Sequence, residues 1–75
     1  MKEFYIMLGT INDVKEFVNI VSQYDFDVDL SSGKYVVNAK SIMGIFSLDL
    51  TRKIKLQVHT DDDNFCDKIK KFIVS

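Results

Sequence analysis

Apolar and polar positions alternate with period two in four stretches of the chain. Phe4, Ile6 and Leu8 alternate with Tyr5 and Met7, and Asp27-Val28-Asp29-Leu30 alternates cleanly. Tyr35, Val37 and Ala39 alternate with Val36 and Asn38, and Ile54, Leu56 and Val58 alternate with Lys55, Gln57 and His59. Successive side chains on a strand point to opposite faces, so each stretch predicts a strand with one face on the core. After the first strand the period changes. Val14, Phe17, Val18 and Val21 recur at helical spacing, with Tyr24 one turn on, which predicts a helix near residues 11 to 24. Gly9 ends the strand before it. Thr10 and Asn12 can each cap its start, and Asp13 and Glu16 add negative charge to the first turn. Ser31-Ser32-Gly33-Lys34 reads as a hairpin turn, with Gly33 free to take a positive φ.

The segment Ser41-Ile42-Met43-Gly44-Ile45-Phe46-Ser47-Leu48 is too short to span a membrane and too apolar for a routine surface loop. It predicts a short helix capped by Ser41. One side meets the core and the other is left as a docking surface drawn from Ile42, Met43, Ile45 and Phe46, because one turn of helix buries only part of that set. The alternative is that the segment simply closes the core. Thr60 is expected to cap a last helix whose apolar stripe is Phe65, Ile69, Phe72 and Ile73. Asp61, Asp62 and Asp63 stand at its positive end and Lys68, Lys70 and Lys71 near its negative end. The order is β-α-β-β-α-β-α. One four-stranded antiparallel sheet with the helices on one face satisfies every stripe, so the fold class is α+β. The other face is expected to be wet, or partly covered by Tyr5, Met7 and Val36.

Length and charge narrow the chemistry. The chain has 75 residues, enough for one domain over 1–75 with a modest core but not for a large enclosed cavity. Any site is therefore a surface site. Eleven acids face ten lysines and arginines, which argues against nucleic acid as a partner. A single cysteine excludes an internal disulfide and a cysteine-based metal cage. The one histidine and the one cysteine fall on different elements, and Asp61-Asp62-Asp63 lacks calcium-loop spacing, so no metal or cofactor is expected. There is no glycine-rich phosphate loop, signal peptide or membrane-spanning run. The expectation is a non-enzymatic, cytoplasmic protein without membrane insertion.

The element order and several local motifs resemble the HPr-type phosphocarriers of the bacterial sugar phosphotransferase system. Tyr24-Asp25-Phe26-Asp27-Val28 resembles the family's approach to its second strand. Gly33-Lys34 with Val37-Asn38-Ala39-Lys40-Ser41-Ile42-Met43-Gly44 resembles the hairpin and the regulatory-serine motif, and Ser47-Leu48 its continuation. The resemblance implies an open-faced β-sandwich. It also implies a phosphoacceptor histidine at the start of the first helix, charged by enzyme I and discharged to a sugar permease component. An arginine follows two residues on, with a proline after it. Counting back from Ser41 without a gap, these positions fall on Thr10, Asn12 and Asp13, so none of the three residue types is kept. A threonine ester is a much poorer phosphoryl donor than phosphohistidine. Asn12 brings no positive charge, and Asp13 and Glu16 repel a dianion. His59 follows the fourth strand, which runs antiparallel to the first, so it is expected at the opposite end of the sheet. There it is solvated or hydrogen-bonded locally by Thr60 and the neighbouring aspartates.

In Gram-positive members a serine at the position of Ser41 is phosphorylated by an ATP-dependent kinase. The resemblance therefore implies a regulatory phosphosite at Ser41, with Lys40 as an adjacent cation. Relatives without the histidine that keep this serine bind a transcriptional regulator. The start of the Ser41 helix is expected at the same end as Thr10, where the family docks its partners. The expected function is a non-catalytic regulatory or protein-binding module, with a serine kinase and a transcriptional regulator as partners. Two alternatives stand: an atypical phosphocarrier working with phosphotransferase-system proteins, or a vestigial structural module.

Overall fold

A computed structural model describes residues 2–60 and 62–74. Its strands are β1 (Lys2–Ile6), β2 (Val28–Ser32), β3 (Tyr35–Asn38) and β4 (Ile54–Val58). Its helices are α1 (Ile11–Val21), α2 (Ile42–Phe46) and α3 (Asp63–Lys68), followed by a 3-10 turn, Lys70–Phe72. The sheet order is β1-β4-β2-β3, and every pairing is antiparallel. The expected order is therefore found, with all helices on one face.

Register follows the alternation. Phe4, Leu56, Leu30 and Val37 form one cross-strand row, and Ile6 stands opposite Ile54. These residues face the helices, and Ile6, Leu30, Ile54 and Leu56 have no solvent exposure. The opposite face carries the rows Glu3, Gln57, Asp29, Asn38 and Tyr5, Lys55, Ser31, Val36. It is the wet face: Gln57 donates to Glu3 at 2.9 Å, Lys55 lies 3.6 Å from the same carboxylate, and Tyr5 and Val36 are exposed. The β2–β3 turn consists of Gly33 and Lys34, and Gly33 takes φ +60 as expected.

Aromatic rings join the helices to one another and to the loop before β2. Phe17 of α1 meets Phe72 edge-on at 5.7 Å, and Phe65 of α3 packs edge-on against both Tyr24 and Phe26. Edge-to-face pairs add about 0.5–1.5 kcal/mol beyond area burial. An ion pair between Glu16 and Lys71 ties α1 to the 3-10 turn, and one between Lys2 and Asp63 ties β1 to α3.

Several boundaries differ from the sequence expectation, each for a tertiary reason. The first strand ends at Ile6 rather than Leu8, where its partner β4 begins. Helix α1 ends at Val21 rather than residue 24. There the amides of Gln23 and Tyr24 turn tightly onto the carbonyls of Ile20 and Val21, and the Tyr24 ring swings into the Phe26–Phe65 cluster. The last helix is broken at Ile69, because the residues after it leave to pair with β1. The Met7 amide donates to Phe72 O, the Val74 amide donates to Tyr5 O, and Ile73 bridges Ile6. Its cap is Asp62, which accepts from the Asn64 amide at 2.9 Å. Thr60 instead accepts from the Asp62 amide at 3.2 Å. The expected contribution of Asp61 falls outside the described residues.

Phe17→Ala should cost about 3–5 kcal/mol, a large share of the stability of a domain this size, as read from urea unfolding. Acid should weaken the fold as well. Glu3 is held below its ordinary pKa by the Gln57 hydrogen bond and then by Lys55, and Asp63 by its hydrogen bond from Lys2 and then by that ammonium's charge. A depressed folded-state pKa stabilises above the unfolded value, and that stability is lost as pH falls through the folded one. The urea midpoint should drop below about pH 4, and Glu3→Gln should flatten the drop.

Candidate functional site

The chain from β1 to α1 passes through Gly9 and Thr10. Thr10 is extended (φ −136, ψ 164), and its Oγ1 accepts from the Asp13 amide at 3.0 Å. Asp13 reaches back, and its Oδ2 accepts from the Gly9 amide at 3.2 Å. This is a reciprocal cap like the serine–glutamate box, displaced by one residue. An unoccupied helix start offers free amides and a positive dipole end to an anion. Here a carboxylate of the chain's own lies in the first turn, bound to the Gly9 amide just before the cap, and the Asp13 amide is taken by Thr10. Asn12 is exposed within the helix, and Thr10 alone forms the cap. Glu16, expected to face the same spot, is drawn to Lys71 instead.

The chain's single histidine is remote from this point. Val58 pairs with Lys2 at the start of β1, whereas Ile54 pairs with Ile6 at its end, so His59 sits at the sheet end away from α1's start. Its Nε2 lies 3.1 Å from Asp29 Oδ2, and its amide donates to Asp27 O. The local partner is therefore Asp29 across the sheet, not Thr60 or the aspartates that follow it in sequence.

Ser41 caps α2 as expected, with Oγ accepting from the Gly44 amide at 3.2 Å, and the residue is exposed. Its position differs from expectation. Strand β3 runs away from the hairpin, so α2 starts at the far end of the sheet and runs back. Lys40 Nζ donates to Tyr24 O at 2.6 Å, which fixes the start of α2 beside the end of α1, not beside Thr10. That ammonium is bound to a backbone carbonyl and does not stand free beside Ser41. Gly44 allows the close seat of α2 on β3: a Cβ there would meet Val37 Cβ at 3.3 Å and Ser41 Oγ at 3.2 Å.

The four residues expected to dock a partner divide. Met43 is 76% exposed and Phe46 40%, whereas Ile42 is half-buried. Ile45 is wholly buried and belongs to the core, which removes it from the surface. A helix of five residues points only one such side chain fully inward, and here that is Ile45. Ile11, which sequence reasoning passed over, is 63% exposed at the start of the neighbouring helix. Its spacing matches the buried stripe of α1, so periodicity alone hides it. Among the described residues no cluster of three His, Cys, Asp or Glu side chains is placed to hold a metal, and no helix is long and apolar enough to cross a membrane. The Cys66 thiol is pushed above its ordinary pKa mainly by burial, which makes it a poor nucleophile.

Removing either cap should be measurable. Thr10→Ala and Ser41→Ala should each lower stability by about 1 kcal/mol in urea titrations, with the fold retained in circular dichroism.

Residues 13–75 match the PTS-HPr family, described as the PTS HPr component phosphorylation site. No curated protein matches the chain. Among solved structures, the chain is similar to HPr-C-His from Thermoanaerobacter tengcongensis, with 26% identity and a TM-score of 0.78 over 95% of this chain and 89% of that one. It is also similar to a phosphocarrier protein HPr from Bacillus anthracis str. Ames, at 22% identity and TM-score 0.71, covering 97% and 94% of the two chains. A histidine-containing phosphocarrier protein of Mycoplasma shares the fold at 18% identity and TM-score 0.69, covering 93% and 86%. With the family match spanning most of its length and its sheet and helices in the same open-faced order, the chain belongs to the PTS-HPr family, whose members are non-catalytic carriers rather than enzymes.

Proposed function

We propose that this chain is a protein-docking, regulatory member of the PTS-HPr family that does not relay phosphate through the start of α1. The observation that carries this reading is the Asp13 carboxylate on the Gly9 amide, with Thr10 closed onto the Asp13 amide. An arriving phosphoryl group would meet the negative charge of that carboxylate at a helix start without a histidine or an arginine. Met43, Phe46 and the exposed part of Ile42 form the docking surface. Methionine and phenylalanine suit a shallow, adaptable contact.

Ser41 is the regulatory phosphosite in this reading. Its hydroxyl is exposed, and a phosphate there could keep the Gly44 amide as a donor. A serine kinase supplies the phosphate, and a transcriptional regulator is the partner that distinguishes the two forms. The new charge would lie on the same short helix as Met43, so it would alter the docking surface directly.

The family match itself favours a second reading, an atypical phosphocarrier working with the phosphotransferase-system proteins. One experiment separates them. The purified chain, incubated with enzyme I and phosphoenolpyruvate, should take up no acid-labile phosphate. Rapid stoichiometric uptake, passed on to a sugar-transport component, would establish the carrier reading instead. With a cognate serine kinase and ATP, one phosphate should appear on the wild type and none on Ser41→Ala. Met43→Asp should weaken capture of the regulator by the phosphorylated form at least tenfold while leaving the unfolding free energy from urea titration within about 0.5 kcal/mol, because the side chain is exposed.

A further inference from the structure

Two open concavities, about 400 and 310 Å³ in volume, share Ser32, Gly33 and Arg52 as a common wall. The smaller lies on the polar face of the sheet, over Tyr5, Ser31 and Lys55. The larger passes Lys34 and Tyr35 toward Ser47 and Asp49, beyond the end of α2. They open on opposite faces of the sheet and meet at the β2–β3 turn through this shared wall. Gly33 is the saddle between them, and a Cβ there would meet nothing within 4 Å, so the saddle is open.

The site they form is cationic although the chain carries a net charge of −1. Lys34, Arg52, Lys53 and Lys55 line it, against Asp49 within it and Glu3 beside Lys55. Neither carboxylate closes the site. Asp49 is turned onto Thr51, whose amide donates to it at 3.0 Å, and it meets Arg52 only through Nε at 3.6 Å. Glu3 lies 3.6 Å from Lys55 and already accepts from Gln57. Lys53 sits 5.4 Å above the Tyr5 ring, and among the described residues no carboxylate pairs with Lys34 or Lys53. Asp25 and Asp27, just before β2, and Asp63, against Lys2 at the start of β1, lie at the other end of the sheet.

Two ammonium groups without carboxylate partners, and a guanidinium that meets Asp49 only through Nε, attract phosphate oxygens. Ser31, Ser32 and Ser47 add hydroxyls, and the rings of Tyr5 and Tyr35 flank the two halves. The volumes fall at the lower end of small-molecule sites. We propose that this site binds a small phosphorylated molecule, held by Arg52, Lys53 and Lys34 across the Gly33 turn. The site lies apart from Met43 and Ser41, and it does not rest on the docking reading above.

The test is titration of the full chain with pyrophosphate, and separately with inorganic phosphate, at about 0.15 M salt, followed through the backbone amides by NMR. Saturating shifts confined to Ser32, Gly33, Arg52 and Lys53 are expected, with a dissociation constant for pyrophosphate on the order of 1 mM or tighter. The double variant Arg52→Gln/Lys53→Gln should weaken binding at least tenfold and Lys34→Gln severalfold. Lys68→Gln/Lys70→Gln, at the end of α3 and in the 3-10 turn, should leave it unchanged. Shifts that never saturate, or an equal loss in both double variants, would overturn the proposal. So would tighter binding of a hexaglutamate peptide than of pyrophosphate, which would assign the site to an acidic protein segment.

Discussion

The inner row of β4 is the position on which the rest of the molecule depends. Ile54, Leu56 and Val58 lie on the strand between β1 and β2 with helices above, and none of them touches solvent. A shift of one residue in either pairing would turn all three toward water and bring Lys55 and Gln57 inward. Burying three aliphatic side chains is favoured by about 1.5–3 kcal/mol each, so the register is strongly held. That register dictates where every connection leaves the sheet. β1 ends at Ile6 because β4 starts opposite it, and the crossing to α1 begins there. β2 is carried to the same end as β1 because both are antiparallel to β4, and the hairpin turn therefore stands at the end where α1 starts.

This geometry separates features that stand close together in a reading of the chain. The hairpin sends β3 back along the sheet, so α2 begins beside the end of α1, where Lys40 binds Tyr24 O. Ser41 and Thr10 both cap helices, but they occupy different ends of the helical layer. The exposed side chains of α2 and Ile11 at the start of α1 belong to neighbouring helices. Bases cluster around the hairpin turn on a chain of almost balanced charge. Charge placement, rather than net charge, sets what each end attracts.

The start of α1 shows how a local sequence choice limits chemistry. A carboxylate one turn into a helix ordinarily stabilises the positive dipole end. Asp13 does so while also holding the Gly9 amide, and the Thr10 hydroxyl takes the next donor. These are favourable interactions for the fold. They are unfavourable for receiving a second anion, because a second negative charge would enter the field of the first. Membership of a phosphocarrier family and a carboxylate at this helix start are both properties of the chain, and the self-closed cap is where they meet.

Much of this was legible from residue order. Period-two alternation located four strands, helical spacing located α1, and the serine and threonine caps at Ser41 and Thr10 were readable because capping is a contact between residues three apart. Ile45, Ile11 and the break at Ile69 were not. Ile45 and Met43 are equally apolar, and only the seat of α2 on β3 decides which one is buried. Ile11 fits the buried stripe of α1 yet is exposed at the helix start. Ile69 lies within a good helical pattern, which the pairing of Ile73 with Ile6 interrupts. The basic site is likewise assembled from segments 31–35 and 52–55, which are far apart along the chain. The sequence by itself determined the elements, the caps of α1 and α2 and the inward face of each strand, since those depend on neighbours within one turn or one pleat. Only the tertiary structure decided which apolar residues stay at the surface and which charges share an end, because those depend on where antiparallel pairing to β4 carries each connection.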